Sequence, residues 1–236
     1  MIRALVVDDE LHAREELTLL LEETGAVEIV GRSPNAIEAL AAIRRERPDV
    51  VFLDVQMPAV SGFELLGMLE DEIMPEVVFV TAHDEFALRA FEENAVDYLL
   101  KPVSAERIAV TVERLKRRTP AVARPAYANA AITRIPCLGP RTIKLVAISD
   151  VECAKSTLSG VYVVSAQGEY STDLTLQVLE ARAGMLRCHK QYLVNPGAID
   201  EVALGDGSSA TIRTRSGHMV PVSRRHLPSV RAHLGI

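Results

Sequence analysis

The sequence predicts a doubly wound α/β domain with a five-stranded parallel sheet, followed by a mainly β domain. Three observations lead to this. Five short, valine-rich apolar runs alternate with helical patterns through the first half of the 236 residues. The second half breaks into short β-like segments separated by turn residues. Between them, the stretch from Pro120 to Ala131 is rich in alanine, contains two prolines and lacks apolar periodicity, as a linker does.

The apolar runs are Ala4–Val7, Val27–Val30, Val50–Leu53, Val77–Val80 and Tyr98–Leu100. They are continuous rather than alternating, as strands covered on both faces should be. Each is followed by apolar residues at helical spacing. Leu17, Leu20 and Leu21 mark the first helix, and Ala36, Leu40 and Ile43 the second. Phe63, Leu66 and Leu69 mark the third, Phe86, Leu88 and Phe91 the fourth, and Ile108, Val112 and Leu115 the fifth. Strand and helix in strict alternation make a parallel sheet. Beyond the linker, β segments are expected at Ile132–Ile135, Thr142–Val146, Gly160–Val164, Tyr192–Val194, Ala210–Thr214 and Met219–Val222. Gly139-Pro140, Gln167-Gly168 and Ser216-Gly217 are among the turn signals, and one helix is expected near Leu174–Arg182. The expected organisation is therefore a domain over 1–118, a linker over 119–131 and a second domain over 132–236.

Charge divides the chain in the same place. The overall charge is −6, but residues 1–119 carry −11 and residues 120–236 carry +5. An acidic half joined to a basic half points to two domains with different partners. The three cysteines, Cys137, Cys153 and Cys188, form no C-x-x-C pair, so neither a zinc site nor a disulfide framework is expected. Met1 leads into a short apolar run and then into Asp8-Asp9-Glu10. No secretory leader and no membrane-spanning stretch is visible, and a cytoplasmic protein without membrane insertion is expected.

In a parallel α/β sheet, ligands bind outside the carboxyl ends of the strands. Asp8-Asp9 end the first run, Asp54 the third, Thr81 the fourth and Lys101-Pro102 the fifth. Three carboxylates, a hydroxyl and an ammonium therefore converge on one sheet edge. Close carboxylates repel and need a cation. An all-oxygen site with open positions suits Mg²⁺, which also binds phosphate. One carboxylate can then act as nucleophile and form an aspartyl phosphate, with Lys101 and Thr81 neutralising the phosphoryl oxygens.

These residues carry a resemblance. Val-Val-Asp8-Asp9-Glu10, Phe-Leu-Asp54-Val-Gln-Met-Pro58, Gly62, Val-Thr81-Ala82 and Tyr98-Leu-Leu-Lys101-Pro102 resemble the receiver domain of two-component response regulators. The resemblance implies that Asp54 is phosphorylated by a sensor histidine kinase. It implies that Asp9 and Asp54 ligate Mg²⁺ directly, Asp8 through water and Gln56 through its backbone carbonyl. Thr81 and Lys101 would contact the phosphoryl group, and the Lys101–Pro102 bond would be cis. Tyr98 stands at the family's switch aromatic, and Gln56 and His83 occupy positions that, in the family, flank the path of hydrolytic water. Phosphorylated receivers would pair as a homodimer through the fourth helix, fifth strand and fifth helix.

In the basic half, Arg187-Cys188-His189-Lys190-Gln191-Tyr192-Leu193-Val194-Asn195 and Pro221-Val222-Ser223-Arg224-Arg225 resemble the LytTR-type DNA-binding domain. That implies a mainly β fold whose loops enter successive major grooves of double-stranded promoter DNA. The expected DNA contacts are Lys155, Ser159, Arg187, His189, Lys190, Arg224 and Arg225, with Lys155–Ser159 as a first contact loop. The whole chain then resembles a LytTR response regulator. Two other outputs compete. A receiver-controlled enzyme would need a catalytic constellation, and no G-x-S-x-G, H-E-x-x-H or acid pair is present. A protein- or RNA-binding output fits the basic charge, but the aromatic pairs that stack single-stranded bases are missing.

Overall fold

A computed structural model describes residues 1–87, 90, 94–117, 131–139, 142–205 and 210–235. The chain divides into two compact units, Met1–Ala130 and Ala131–Ile236. Residues 119–130 of the expected linker, and Leu88 and Phe91 of the expected fourth helix, lie outside the described residues.

In the first unit, β1 (Ile2–Val7), β2 (Val27–Ser33), β3 (Val50–Leu53), β4 (Glu76–Thr81) and β5 (Asp97–Leu100) form one sheet. All its pairings are parallel and the order is β2-β1-β3-β4-β5. Every residue of β3 is buried, which explains why its sequence does not alternate. The helices are α1 (Leu11–Glu23), α2 (Ala36–Glu46), α3 (Gly62–Gly67) and α4 (Ala105–Arg117). The start of α2 is set by Asn35, whose side chain accepts hydrogen bonds from the Ile37 and Glu38 amides. A capping box between Ser61 and Glu64 starts α3. Leu17 and Leu21 of α1 pack with Ile108, Val112 and Leu115 of α4 against Val6, Phe52, Val78 and Val80.

The second unit is antiparallel. Among the described residues, a seven-stranded sheet has the order β11-β12-β8-β9-β10-β6-β7, and a three-stranded sheet has the order β13-β14-β15. Their ranges are β6 Arg134–Leu138, β7 Ile143–Ala147, β8 Val151–Thr157, β9 Gly160–Ser165, β10 Gly168–Thr172, β11 Leu186–His189, β12 Tyr192–Val194, β13 Ile199–Leu204, β14 Ala210–Thr214 and β15 Met219–Val222. The expected helix is α5 (Leu176–Arg182). A second helix, α6 (Leu227–Leu234), was not expected. It is short and has one proline in its first turn, so its pattern is weak, but Leu227 and Val230 bury one face.

Three details differ from expectation. Lys155 lies inside β8 rather than in a loop, so the first contact loop shrinks to the tip around Leu158 and Ser159. The expected segment Tyr192–Val194 is preceded by a further strand, β11, which His189 ends, and Lys190 sits in the turn between the two. Four of the strands, β8, β10, β11 and β13, have no counterpart among the expected segments. Each mixes apolar residues with Lys, Glu, Arg or Asp, which hides the strand signal.

The two sheets are pinned by a buried carboxylate. Glu152 of β8 accepts hydrogen bonds from the Thr214 hydroxyl (2.5 Å), the Ser216 hydroxyl (2.7 Å) and the Ser216 amide (3.2 Å). Burial acts to raise its pKa. The hydrogen bonds from Thr214 and Ser216 and the charge of His218 outweigh burial and hold it below the usual glutamate range. A carboxyl depressed in the folded state stabilises the fold above its unfolded pKa, and that stabilisation is lost as pH falls through the folded value. Urea denaturation should therefore show the second unit weakening as pH drops below the ordinary value of 4.5. Glu152→Gln should lower its stability at neutral pH by about 1–2 kcal/mol and flatten the acid dependence.

Candidate functional site

Backbone pairing carries the reactive side chains to one edge of the parallel sheet. The Asp54 amide donates to the Val7 carbonyl (2.9 Å), which sets the end of β3 beside the end of β1. The Lys101 amide donates to the Thr81 carbonyl (2.9 Å), joining the ends of β5 and β4. Asp8, Asp9, Asp54, Thr81 and Lys101 are brought together as the sequence predicts.

The Lys101 ammonium lies 2.7 Å from Asp8 Oδ2 and 2.8 Å from Asp54 Oδ2, with Glu10 at 3.8 Å. Asp8 and Asp54 are buried and Asp9 is exposed. Burial pushes the Asp8 carboxyl up more than Lys101 lowers it. Burial alone would lower the Lys101 pKa, but its hydrogen bonds to Asp54 and Asp8 reverse this and raise it. Lys101 is therefore a fixed cation at neutral pH. The other Asp54 oxygen, Oδ1, accepts the Gln56 amide (3.1 Å), so the carboxylate is gripped from two sides. It is the Gln56 amide that the structure sets against Asp54.

The Thr81 hydroxyl is fully buried and has no hydrogen-bond partner among the described residues. An orphaned buried donor costs about 1–3 kcal/mol and needs an explanation. It fits a site built for oxygens supplied from outside. One oxygen each from Asp8, Asp9 and Asp54 lie within 4.8 Å of one another. Three hard oxygen donors, one of them open to water, suit Mg²⁺.

The surrounding loop is built to match. A Cβ on Gly62 would lie 2.4 Å from the Asp54 carbonyl oxygen, so no side chain fits where α3 begins. The Lys101–Pro102 peptide is cis. The Tyr98 hydroxyl donates to the His83 carbonyl, and its ring lies 6.5 Å from that of Phe79. At the far end of β5, Asp97 is held by Arg107 (3.2 Å), Arg114 (2.8 Å) and the Thr111 hydroxyl (2.7 Å), a cluster that motif reading did not single out.

In the second unit the expected contact segments meet at one end of the large sheet. The Ser156 amide donates to the Gln191 carbonyl (2.9 Å), placing the β8–β9 tip beside the β11–β12 turn. The Ser223 amide donates to the Cys188 carbonyl (2.9 Å), placing the 223–226 turn beside β11. Lys190, Arg224 and Arg225 are exposed there, and His189 is half-buried. Among the described residues no carboxylate pairs with these three cations. Two other expected contacts have internal partners. Lys155 pairs with Glu169 (2.7 Å), and Arg187 with Glu180 (2.5 Å). The Ser159 hydroxyl accepts from Tyr162 (3.1 Å), which holds the β8–β9 tip. The three cysteines are buried and free. Burial pushes the thiols of Cys137 and Cys153 up to about 11 and that of Cys188 to about 12, which leaves them unreactive.

A carboxylate-lined pocket at the edge of a parallel sheet, joined to a basic β domain, is the architecture of a two-component response regulator that binds DNA. Residues 4–113 match the response regulator receiver domain family, and residues 141–235 match the LytTr DNA-binding domain family. The chain is 52% identical over 235 residues to a response regulatory protein of Vibrio cholerae, covering 100% of this chain and 99% of that one. It is 50% identical over 240 residues to one of Vibrio vulnificus, with the same coverage. It is 47% identical over 239 residues to the transcriptional regulatory protein BtsR of Escherichia coli, covering all of both chains. The chain belongs to the response regulators that couple a receiver domain to a LytTr DNA-binding domain. No helix among the described residues is long and apolar enough to cross a membrane.

The orphaned hydroxyl gives a sharp test. Thr81→Val removes a buried donor that bonds to nothing and keeps the side-chain shape. Urea denaturation should show stability unchanged or raised by about 1 kcal/mol, where a paired threonine would show a loss.

Proposed function

We propose that the protein is a phosphorylation-dependent transcriptional regulator of a two-component system, with Asp54 as phosphoacceptor and promoter DNA as target of the second domain. The observation that carries this is the environment of Asp54. Its carboxylate is oriented by the Gln56 amide and the Lys101 ammonium, next to a buried Thr81 hydroxyl with no other employment.

In the transfer, an Asp54 oxygen attacks the phosphorus of a phosphohistidine on a sensor histidine kinase. The new O–P bond forms as the P–N bond breaks, and the imidazole leaves with the bonding pair and takes up a proton. Asp8, Asp9 and Asp54 would hold Mg²⁺, which when bound would supply positive charge for the phosphoryl oxygens. Lys101 shifts its ammonium from the carboxylates to a phosphoryl oxygen, and Thr81 donates its hydroxyl to another. We infer that Tyr98, tied to His83, reports the movement of Thr81 to the face where receivers pair. Gln56 and His83 tune access of water to the acyl phosphate. The chain performs no other catalysis in this reading, and the cytoplasm is where kinase and DNA would both be met.

Pairing of two receivers brings two DNA-binding domains to paired half-sites and raises the effective concentration at the second. Lys190, Arg224 and Arg225 supply the cationic face for phosphates and guanine edges.

Incubation with acetyl phosphate and Mg²⁺ should label the wild-type chain. Asp54→Asn should abolish labelling, and Thr81→Val should slow it despite intact folding. Labelling retained in Asp54→Asn would place the phosphoacceptor elsewhere. Duplex DNA binding by the full chain should weaken steeply with salt. Arg224→Ala and Arg225→Ala should each lower the slope of log K against log salt where they touch phosphate.

A further inference from the structure

Arg187 belongs to the motif that marks the DNA-binding face, yet its guanidinium is turned into the protein. Its side chain is only 19% exposed. Nε and Nη2 lie 2.7 Å and 2.5 Å from the same Glu180 oxygen, and Nη1 donates to the Lys190 carbonyl at 3.3 Å. One side chain thus bridges α5 and the β11–β12 turn.

Both ends of the bridge are anchored. Glu180 lies on α5, which is capped by Thr175 and buries Leu176, Val178 and Leu179. The turn is held at three further backbone groups. The Gln191 amide donates to His189 Nδ1 (3.1 Å), the Gln191 carbonyl accepts the Ser156 amide, and the Cys188 carbonyl accepts the Ser223 amide. The strand pairing slips between Arg187 and His189, so this turn lacks a regular ladder to shape it. Arg187 supplies the bond that the ladder does not, and Lys190 is left exposed at the apex.

The geometry points to Glu180 and Arg187 as a positioning pair for DNA recognition, fixing the turn that presents Lys190 rather than contacting phosphate. This rests on the DNA-binding reading above. A fixed turn loses less freedom on binding and holds Lys190 in register with a base edge. The alternative is that Glu180 merely masks a phosphate-binding arginine. The two predict opposite signs. If Glu180 masks a contact, removing its charge frees Arg187 and binding tightens. If the pair positions the turn, removing either member loosens the turn and specific binding weakens.

The test uses the full-length chain, a duplex that the wild type selects from a randomised pool, and a scrambled duplex of the same composition. Glu180→Gln and Arg187→Gln should each weaken the selected duplex by about tenfold. Both should leave the scrambled duplex and the salt slope unchanged. The double variant should be no worse than either single one, because one interaction is lost in all three. Arg187→Lys should not rescue, since one ammonium does not replace the guanidinium fork. Retained binding of the scrambled duplex shows that the variants fold. Tighter binding by Glu180→Gln, or a salt slope reduced by about one in Arg187→Gln, overturns the proposal and makes Arg187 a phosphate contact. No salt-sensitive duplex binding by the wild type would overturn the DNA-binding reading, and this proposal with it. That control separates the two failures.

Discussion

The Lys101 ammonium between Asp8 and Asp54 is the interaction on which the receiver half depends. Two buried carboxylates at the edge of an apolar sheet repel each other and lose hydration. A cation 2.7 Å and 2.8 Å away compensates for both effects. The requirement reaches back into the fold. Lys101 must follow β5, Asp54 must follow β3 and Asp8 must follow β1, so three strands have to finish level. The order β2-β1-β3-β4-β5 achieves this, with β4 carrying Thr81 between β3 and β5. The pocket is thus a consequence of strand pairing, and the surrounding loops refine it. Gly62, tight against the Asp54 carbonyl, is the clearest refinement.

The second domain solves a different problem. Among the described residues no long helix gathers its exposed cations Lys190, Arg224 and Arg225, so turns are brought together by other means. Two backbone hydrogen bonds, Ser156 to Gln191 and Ser223 to Cys188, join three turns at one end of the sheet. Behind them Glu152 ties the large sheet to the β14–β15 hairpin, and so indirectly to the 223–226 turn. Glu152, Glu180 and Glu169 are spent within the domain, on Thr214, Arg187 and Lys155. The exposed cations are left to give its outer face its sign.

The parallel sheet was legible because burial on both faces writes an uninterrupted apolar run, and four of the five runs end at a residue with chemistry of its own. The clustering of Asp8, Asp9, Asp54, Thr81 and Lys101 was legible for the same reason, since strand ends locate side chains without knowledge of packing. The antiparallel half was less so. Strand β13, Ile199-Asp200-Glu201-Val202-Ala203-Leu204, carries an ion pair from Asp200 and Glu201 to Arg213 across the sheet, and reads in isolation as a polar loop. Helix α6 has two buried residues in eight, too few to show a period. The orphaned state of Thr81 is invisible in any sequence, because it depends on which atoms fail to reach the hydroxyl.

The basic residues show where sequence reading stops in physical terms. Lys155, Arg187, Lys190, Arg224 and Arg225 look equivalent as cations in strand-like surroundings. Whether each is available to DNA depends on carboxylates elsewhere in the fold. Glu169 reaches Lys155 because β10 pairs with β9 and β9 with β8, and Glu180 reaches Arg187 because α5 packs on β8 and β12, beside β11. Neither partner is in the motif that names its cation. A charge count assigns all five the same role, and the three-dimensional pairing divides them into groups that face solvent and groups that shape the surface.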